Sequence, residues 1–322
     1  MISKFLYKSY WYFLNSDKLQ ISTCGWAEYK SSVLNSQELA NIIFNTLSSS
    51  SDDFNNLVTN LNGNFTLIVT SPEQTLIATD RMRAYPVVYF LSDDRNLIIT
   101  DSLEKYCIEN SVRFEFDDDV LEQYLCSDYV VGPFTVFKNV FSTQSGEIVK
   151  FKQSDNSVQR LQYFSWAPKM TNDETKRDLI EEARILDEVF KRVFNRMINS
   201  APHVNNWIIP LSGGYDSRVI VNYLYKKNIS NVICYSYGLK DNIQSKISRE
   251  VAEALGYRWY FIDYPQWMGR LHKDNLIEPY VEYAFNGSSV AHLQDFPAVY
   301  ALKEMGILQQ NDVFVPGHAL EV

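Results

Sequence analysis

Between residues 211 and 217 the chain reads Leu-Ser-Gly-Gly-Tyr-Asp-Ser, preceded by the apolar run Trp207-Ile-Ile-Pro and followed by Arg-Val-Ile-Val-Asn-Tyr-Leu. The apolar run predicts a strand and the segment after it a helix, so Gly213 and Gly214 fall at the turn between them. Glycines there let the backbone turn tightly and leave amides uncovered, where the first N–H groups of the helix have no partner and its dipole is positive. That combination attracts anions. Ser212 and Ser217 add hydroxyl donors suited to phosphate oxygens. Asp216 is the informative residue: a carboxylate beside a phosphate is repelled unless a divalent cation lies between them, which implies Mg²⁺. The plain alternative is a Ser-Gly-Gly turn with Asp216 as a first-turn acid favoured by the dipole. No Gly-Lys-Ser/Thr follows, which excludes a Walker-type phosphate loop.

The elements around this loop alternate. "NNWIIPL", "NVICYSYG", "RWYFID" and "DVFVP" read as strands, with "SRVIVNYLYKKN", "SKISREVAEALG" and "FPAVYALKEMG" as helices between or before them. Strand-helix alternation implies parallel strands with right-handed crossovers, an α/β doubly wound sheet. Such sheets bind ligands beyond the carboxyl ends of their strands, here residues 211–216, 237–241 and 316–318.

The first half has a different rhythm. After "SQELANIIFNTL", at helical spacing, come "NFTLIVT", "TLIATD", "VVYFL" and "NLIITD", joined by "SPEQ", "RMRAYP" and "SDDR". Short polar connections favour hairpins, so an antiparallel α+β domain is expected, with one helical stretch over 103–126 and two strands, "TVFKNVF" and "GEIVKFK", to finish it. A capping box at Thr171 and Glu174 predicts a long helix that buries Ile180, Ala183, Leu186, Phe190, Val193, Phe194 and Met197 and bridges the two halves. The expected domains are 1–165 and 166–322.

Composition narrows the class. The 322 residues include 21 Tyr and 19 Phe and carry a net charge of −9, globular composition that argues against general nucleic-acid binding, for which a basic surface is needed. Cys24, Cys107, Cys126 and Cys234 form no Cys-x-x-Cys pair, which suits reduced thiols in the cytoplasm rather than a disulfide framework or zinc site. The aromatic N-terminus breaks every few residues with polar ones, unlike a signal peptide, and no run approaches the ~18 apolar residues of a membrane span, so a soluble, cytoplasmic protein is expected.

"LSGGYDS" resembles the pyrophosphate loop of the asparagine synthetase family, and "NGNFTLIVTSPEQTLIATDRMRAYPVVYF" is similar to that family's class II amidotransferase domain, with its Gly-x-Phe strand, Ala-x-Asp-Arg segment and Pro-x-x-Tyr strand. The resemblance runs from about Gly63 to Gly317. It implies an Ntn-hydrolase-like sandwich of antiparallel sheets followed by an adenine nucleotide alpha hydrolase-like sheet. It also implies an enzyme that adenylates a carboxylate with ATP and Mg²⁺, couples it to ammonia or an amine, and releases AMP and pyrophosphate. Carried over by position, Leu211 touches adenosine through its backbone. Ser212, Gly213, Gly214 and Ser217 hold pyrophosphate, and Asp216 takes Mg²⁺. Tyr237 and Gly238 border adenine, and Gly317 closes over the nucleotide from the fourth strand; Tyr237 reads equally as a core aromatic.

The chain departs from that pattern in two places. Glutamine-using members have cysteine as residue two, the nucleophile whose own amine is the base; here residue two is Ile2, and Cys24 lacks a terminal amine. No glutaminase activity is therefore expected, and Asp80 with Arg81 reads as a structural ion pair. Family members also continue into a helical region with substrate-binding and catalytic residues, whereas this chain stops at "VPGHALEV". The closing Leu-Glu-Val resembles the opening of an engineered protease-recognition tail, so an incomplete C-terminus is expected and no catalytic residue is assigned. Arg218, Asp295 and His318 are substrate-binding candidates, with plainer readings as a solvated first-turn arginine, a helix N-cap and a sheet-edge residue. Members without the cysteine occur in natural-product and surface-polysaccharide pathways, which suggests a hexuronic acid amide. A homodimer is compatible with the sequence. The competing readings are a catalytically silent binding or assembly protein and an RNA-modifying ATP pyrophosphatase; the acidic charge and the lack of a cysteine pair disfavour the second.

Overall fold

The computed structural model describes residues 2–49, 53–167 and 178–317. The chain divides into one unit of Met1–Glu174 with Val281–Ala291 and another of Thr175–Tyr280 with His292–Val322.

The first unit contains β1 (Ile2–Phe5), β2 (Tyr12–Asn15), β3 (Gln20–Tyr29), β4 (Ser32–Leu34), α1 (Ser36–Ser49), α2 (Asp53–Thr59), β5 (Asn62–Thr70), β6 (Gln74–Thr79), β7 (Val88–Leu91), β8 (Leu97–Thr100), α3 (Leu103–Asn110), α4 (Asp118–Ser127), β9 (Val140–Ser142), β10 (Glu147–Lys152) and β11 (Val158–Gln162). One sheet runs β11-β10-β6-β5-β3-β2 with β4 beside β3, and the other runs β1-β8-β7-β9. Side-chain alternation sorts the layers. In β5, Leu67 and Val69 turn toward Leu39, Ile43 and Phe54 of the helices, while Ile68 between them turns toward Tyr89, Leu97 and Ile99 of the second sheet. The second sheet's other face, Val88, Phe90 and Ile98, is covered by Leu103 and Tyr106 of α3. The result is a helix-sheet-sheet-helix sandwich. Each fully buried Leu, Ile or Phe contributes about 1.5–3 kcal/mol to it.

Four local expectations need correcting. The segment "RMRAYP" closes no hairpin: β6 and β7 lie in different sheets, and the segment carries the chain from one to the other. The second sheet is not wholly antiparallel, because β1 pairs with β8 in parallel. The single helical stretch over 103–126 is two helices, since Ser111 takes a left-handed conformation (φ 55°) that ends α3 and Asp117 begins a new N-cap, its carboxylate accepting from the Val120 amide at 3.3 Å. Likewise "TVFKNVF" yields only the short β9. Residues 281–291 join this unit through hydrogen bonds: the Leu103 amide donates to Asn286 Oδ1 at 2.8 Å, and the Val130 and Val136 amides to the carbonyls of Ser288 and Gly287, each at 2.8 Å.

The second unit contains α5 (Leu179–Ser200), β12 (Trp207–Pro210), α6 (Tyr215–Lys226), β13 (Val232–Gly238), α7 (Ile243–Ala254), β14 (Arg258–Asp263), α8 (Tyr264–Lys273), α10 (Phe296–Glu304) and β15 (Val313–Phe314); α9 (Ile277–Phe285) runs up to and past its boundary. The strands pair in parallel in the order β14-β13-β12-β15. In β13, Val232 and Cys234 face Val221 and Leu224 of α6 and Ala252 of α7, while Ile233 and Tyr235 face Trp267 of α8 and Ala298, Ala301 and Leu302 of α10. Helices on both faces explain why these strands read as continuous apolar runs. The Thr171–Glu174 capping box lies outside the described residues; α5 is N-capped by Asp178, whose carboxylate accepts from the Ile180 amide at 3.1 Å. Of its expected inward residues only Phe194 is buried, stacked on Tyr223 with ring centroids 4.8 Å apart, whereas Ile180, Leu186 and Val193 are exposed.

Candidate functional site

The loop between β12 and α6 is held from several directions. The Leu211 amide donates to the Tyr235 carbonyl at 2.8 Å, extending the β12–β13 pairing to the mouth of the sheet. Ser217, buried in the first turn of α6, accepts from the Ser212 amide at 3.0 Å through its hydroxyl and lies 3.1 Å from the Ser212 Oγ. That hydroxyl of Ser212 in turn accepts from the Gly214 amide at 3.1 Å. The Gly213 amide donates to Gln244 Oε1, on α7, at 2.8 Å.

Neither loop glycine uses a positive φ; Gly214 is the N-cap of α6 at φ −75°. They serve close approach instead. A Cβ on Gly213 would lie 2.5 Å from Gln244 Oε1, and one on Gly317 would lie 2.7 Å from the Ser217 amide nitrogen. Gly317, past β15, thus sits directly against the first turn of α6, and no other residue type fits there without displacement. Asp216 is exposed.

A cleft of about 850 Å³ opens at the carboxyl edge of this sheet. Leu211, Ser212, Asp216, Ser217, Tyr237, Gly238, Asp295 and Gly317 all line it. Gly213 and Gly214 complete the loop but are not on its wall. Arg218 is not there either: its Nε donates back to the Gly214 carbonyl at 2.9 Å and its guanidinium lies over the Tyr215 ring at 4.4 Å, so it fastens its own helical turn. His318 lies outside the described residues. Asp295 occupies the N-cap of α10, but its side chain makes no capping hydrogen bond. It turns sideways, accepting from the Tyr237 hydroxyl at 2.7 Å, with His292 Nε2 at 3.5 Å. Tyr237 is stacked on Tyr264 at 4.7 Å with planes 9° apart, and burial followed by the Asp295 hydrogen bond pushes its phenol well above the ordinary tyrosine range. The result is an aromatic wall with one carboxylate behind it.

Gln244, Asn242 and Gln294 also line the cleft and had no signal in the sequence beyond a polar residue at a helix start. Asn242 is the N-cap of α7, accepting from the Ser245 amide at 2.8 Å. Among the described residues no three His, Cys, Asp or Glu side chains gather to cage a metal. A Mg²⁺ here would rest on Asp216 with waters and ligand oxygens completing its shell, the usual manner for this ion.

In the first unit, Asp80 and Arg81 form no ion pair. Asp80 is fully buried; its Oδ2 accepts from the Phe65 and Ala84 amides at 3.1 and 2.9 Å and its Oδ1 from the Met82 amide at 2.6 Å. Arg81 points elsewhere, donating to the Thr59 carbonyl at 3.2 Å with its guanidinium 4.7 Å from the Phe164 ring. Three backbone donors satisfy the carboxylate without a counter-ion. Cys24 is fully buried against the Thr66 carbonyl, and burial pushes its thiol far above the usual range; Cys107 is shifted the same way. Neither carries the lowered pKa of a reactive thiolate.

A layered α+β unit and a doubly wound parallel sheet with a loop-lined cleft define a mixed two-unit architecture. Residues 35–164 match the family model of a glutamine amidotransferase domain, a span from the start of α1 to just beyond β11. No curated protein matches the chain. Among solved structures, the NH₃-dependent NAD synthetase of Campylobacter jejuni is similar at 11% identity and a TM-score of 0.30, over 42% of this chain and 56% of that one. The glutamine phosphoribosylpyrophosphate amidotransferase of B. subtilis is similar at 9% identity and a TM-score of 0.30, over 79% and 48%. A structure of the allosteric regulatory enzyme of purine biosynthesis gives 9% and 0.31 over 78% and 46%. The chain spans about half the length of these structures. No helix of the described residues is long and apolar enough to cross a membrane.

Proposed function

We propose that the second unit binds ATP with Mg²⁺ and that the protein is an ATP-dependent amide ligase. The observation that carries this reading is the β12–α6 loop: two glycines, two serine hydroxyls at hydrogen-bonding distance from each other, the start of a helix, and an exposed carboxylate, all at the carboxyl edge of a parallel sheet. Ser212, Gly213, Gly214 and Ser217 hold the pyrophosphate portion, and Asp216 faces the cation. Tyr237 and Gly238 flank the adenine and Gly317 shuts the loop from the side. Bound Mg²⁺ would offset charge on the leaving pyrophosphate. The chain's own donors act on the same charge: helix-terminal amides and hydroxyls fixed in advance cost no reorganisation when the α–β bond breaks. A substrate carboxylate attacks the α-phosphorus, and an amine then displaces AMP from the acyl adenylate.

The match of residues 35–164 to a glutamine amidotransferase domain supports a link to nitrogen transfer. The unactivated thiols of buried Cys24 and half-buried Cys107 favour ammonia or an amine over glutamine as the donor. Incubation with ATP, Mg²⁺, ammonia and a panel of acids that includes hexuronic acids should release pyrophosphate and AMP in equal amounts. Absence of both release and ATP binding refutes the reading, and isotopically labelled glutamine converted to glutamate refutes the choice of donor.

One observation favours a second reading, a silent binding protein: Gln244 Oε1 already takes the Gly213 amide that a phosphate oxygen would use. Calorimetry with a non-hydrolysable ATP analogue separates the two, since a blocked loop takes up no nucleotide.

A further inference from the structure

The first unit has a cavity of its own, about 370 Å³, lined by Lys8, Arg83, Tyr10, Tyr85, Tyr283 and Ser288 among others, and no Asp or Glu is among its lining residues. Arg83 is the centre of it. Its backbone takes the left-handed conformation, φ 58°, which non-glycine residues enter only where the surroundings impose it. Its Nη2 donates to the hydroxyls of Ser142 at 2.8 Å and Ser288 at 3.4 Å, and its buried Nε has no acceptor. Burial holds its pKa below the ordinary arginine value. Glu147, the one carboxylate that acts on it, is engaged elsewhere: Oε1 accepts from Arg160 Nε and Oε2 from the Gln144 amide, each at 2.9 Å. The second cation is equally uncommitted, because Lys8 Nζ sits 4.2 Å from the Tyr283 ring centroid and makes no ion pair among the described residues.

Burying a guanidinium without a counter-charge is expensive, and in a chain with a net charge of −9 acidic partners are not scarce. Here two cations converge on one small cavity whose other polar side chains are hydroxyls and the carboxamide of Asn286. A planar fork of donors beside a point charge matches an oxyanion. We propose that this cavity is an oxyanion site, in which Arg83 and the serine hydroxyls take the carboxylate or phosphate group of a small molecule, Lys8 supplies the second charge, and the tyrosine rings flank the remainder of the ligand.

The test uses the full-length, ¹⁵N-labelled chain titrated with sodium phosphate and, separately, with sodium acetate, with sodium chloride as control. The amides of Tyr85, Ser288 and Ser289 should shift saturably with at least one oxyanion and not with chloride; which oxyanion acts names the group the natural ligand carries. Arg83→Gln and Lys8→Glu should each weaken that response at least tenfold. Should Arg83→Gln lose its fold, Lys8→Glu with Lys8→Gln decides, since charge reversal must exceed neutralisation. The proposal is overturned if those amides respond to neither oxyanion, respond equally to chloride, or respond undiminished in the Lys8 variants. Shifts at Gly213 and Gly214 report on the second unit separately, so either site can fail alone.

Discussion

Asp80, just beyond β6, and Asp216, in the first turn of α6 after β12, each stand in a short sequence signature, one in each unit, and their carboxylates are used in opposite ways. Asp80 is fully buried, and its two oxygens are consumed by three backbone amides that shape the crossing from β6 to β7. Asp216 is exposed, on the wall of a cleft, in the first turn of α6. Burial converts one aspartate into a fastening for the backbone; exposure at a helix start leaves the other available to a cation. An acid in a recognisable motif acquires a chemical role only when the fold leaves its lone pairs unspent.

The largest effect expected from this contrast is at Asp80. Asp80→Ala leaves the buried Phe65 amide and the part-buried amides of Met82 and Ala84 without their acceptor and should cost about 3–5 kcal/mol, read as a lowered urea midpoint; a loss under about 1 kcal/mol would break the comparison. Asp216→Asn should change stability by no more than about 0.5 kcal/mol while weakening Mg²⁺-dependent nucleotide binding by about 30- to 100-fold, or roughly 2–3 kcal/mol. Calorimetry with and without Mg²⁺ checks it, and equal losses in both conditions would remove the cation from the argument.

A third test sharpens the point that the first unit pays for buried charge. Burial lowers the Lys4 pKa from 10.5 to about 8. Between those values the unfolded chain binds more protons than the folded one, so stability should rise with pH from about 8 to 10.5, by about 1–2 kcal/mol after allowance for partial solvent access. Lys4→Met should flatten that rise and raise stability at neutral pH; a midpoint independent of pH in the native chain would contradict it. The smallest effect belongs to Tyr237→Phe, which removes one hydrogen bond to Asp295 and should cost about 1 kcal/mol, with nucleotide affinity held within about threefold because the ring remains stacked on Tyr264.

The second unit was the more legible of the two. Its strands are covered on both faces, so Ile208, Ile233 and Ile262 stand in continuous apolar runs separated by helical periods, and the parallel pairing of the strands, though not their order, follows from alternation. The first unit hides more, because its strands divide their side chains between a helical layer and a second sheet, and period-two patterning cannot say which sheet a strand joins. For that reason "RMRAYP" read as a hairpin connection, and β1 to β4, in a segment broken by polar residues, went unassigned. Arg81 beside Asp80 suggested an ion pair, but neighbours in sequence at a turn point their side chains in different directions, and backbone amides reached Asp80 first.

The sequence by itself determined the loop: Ser-Gly-Gly-x-Asp-Ser between an apolar run and a helical one specifies a glycine turn, two hydroxyls and a carboxylate at a helix start, since local chemistry needs only local spacing; the expected uncovered amides of Ser212, Gly213 and Gly214 instead donate to the side chains of Ser217, Gln244 and Ser212. Tertiary structure alone decided what meets that loop. Gly317 lies against Ser217 and Gln244 reaches Gly213, while Asp295 forgoes its helix cap for Tyr237. Those partners come from other strands and helices, and their distances are set by how the sheet orders its strands and how its helices pack, which no spacing along the chain encodes.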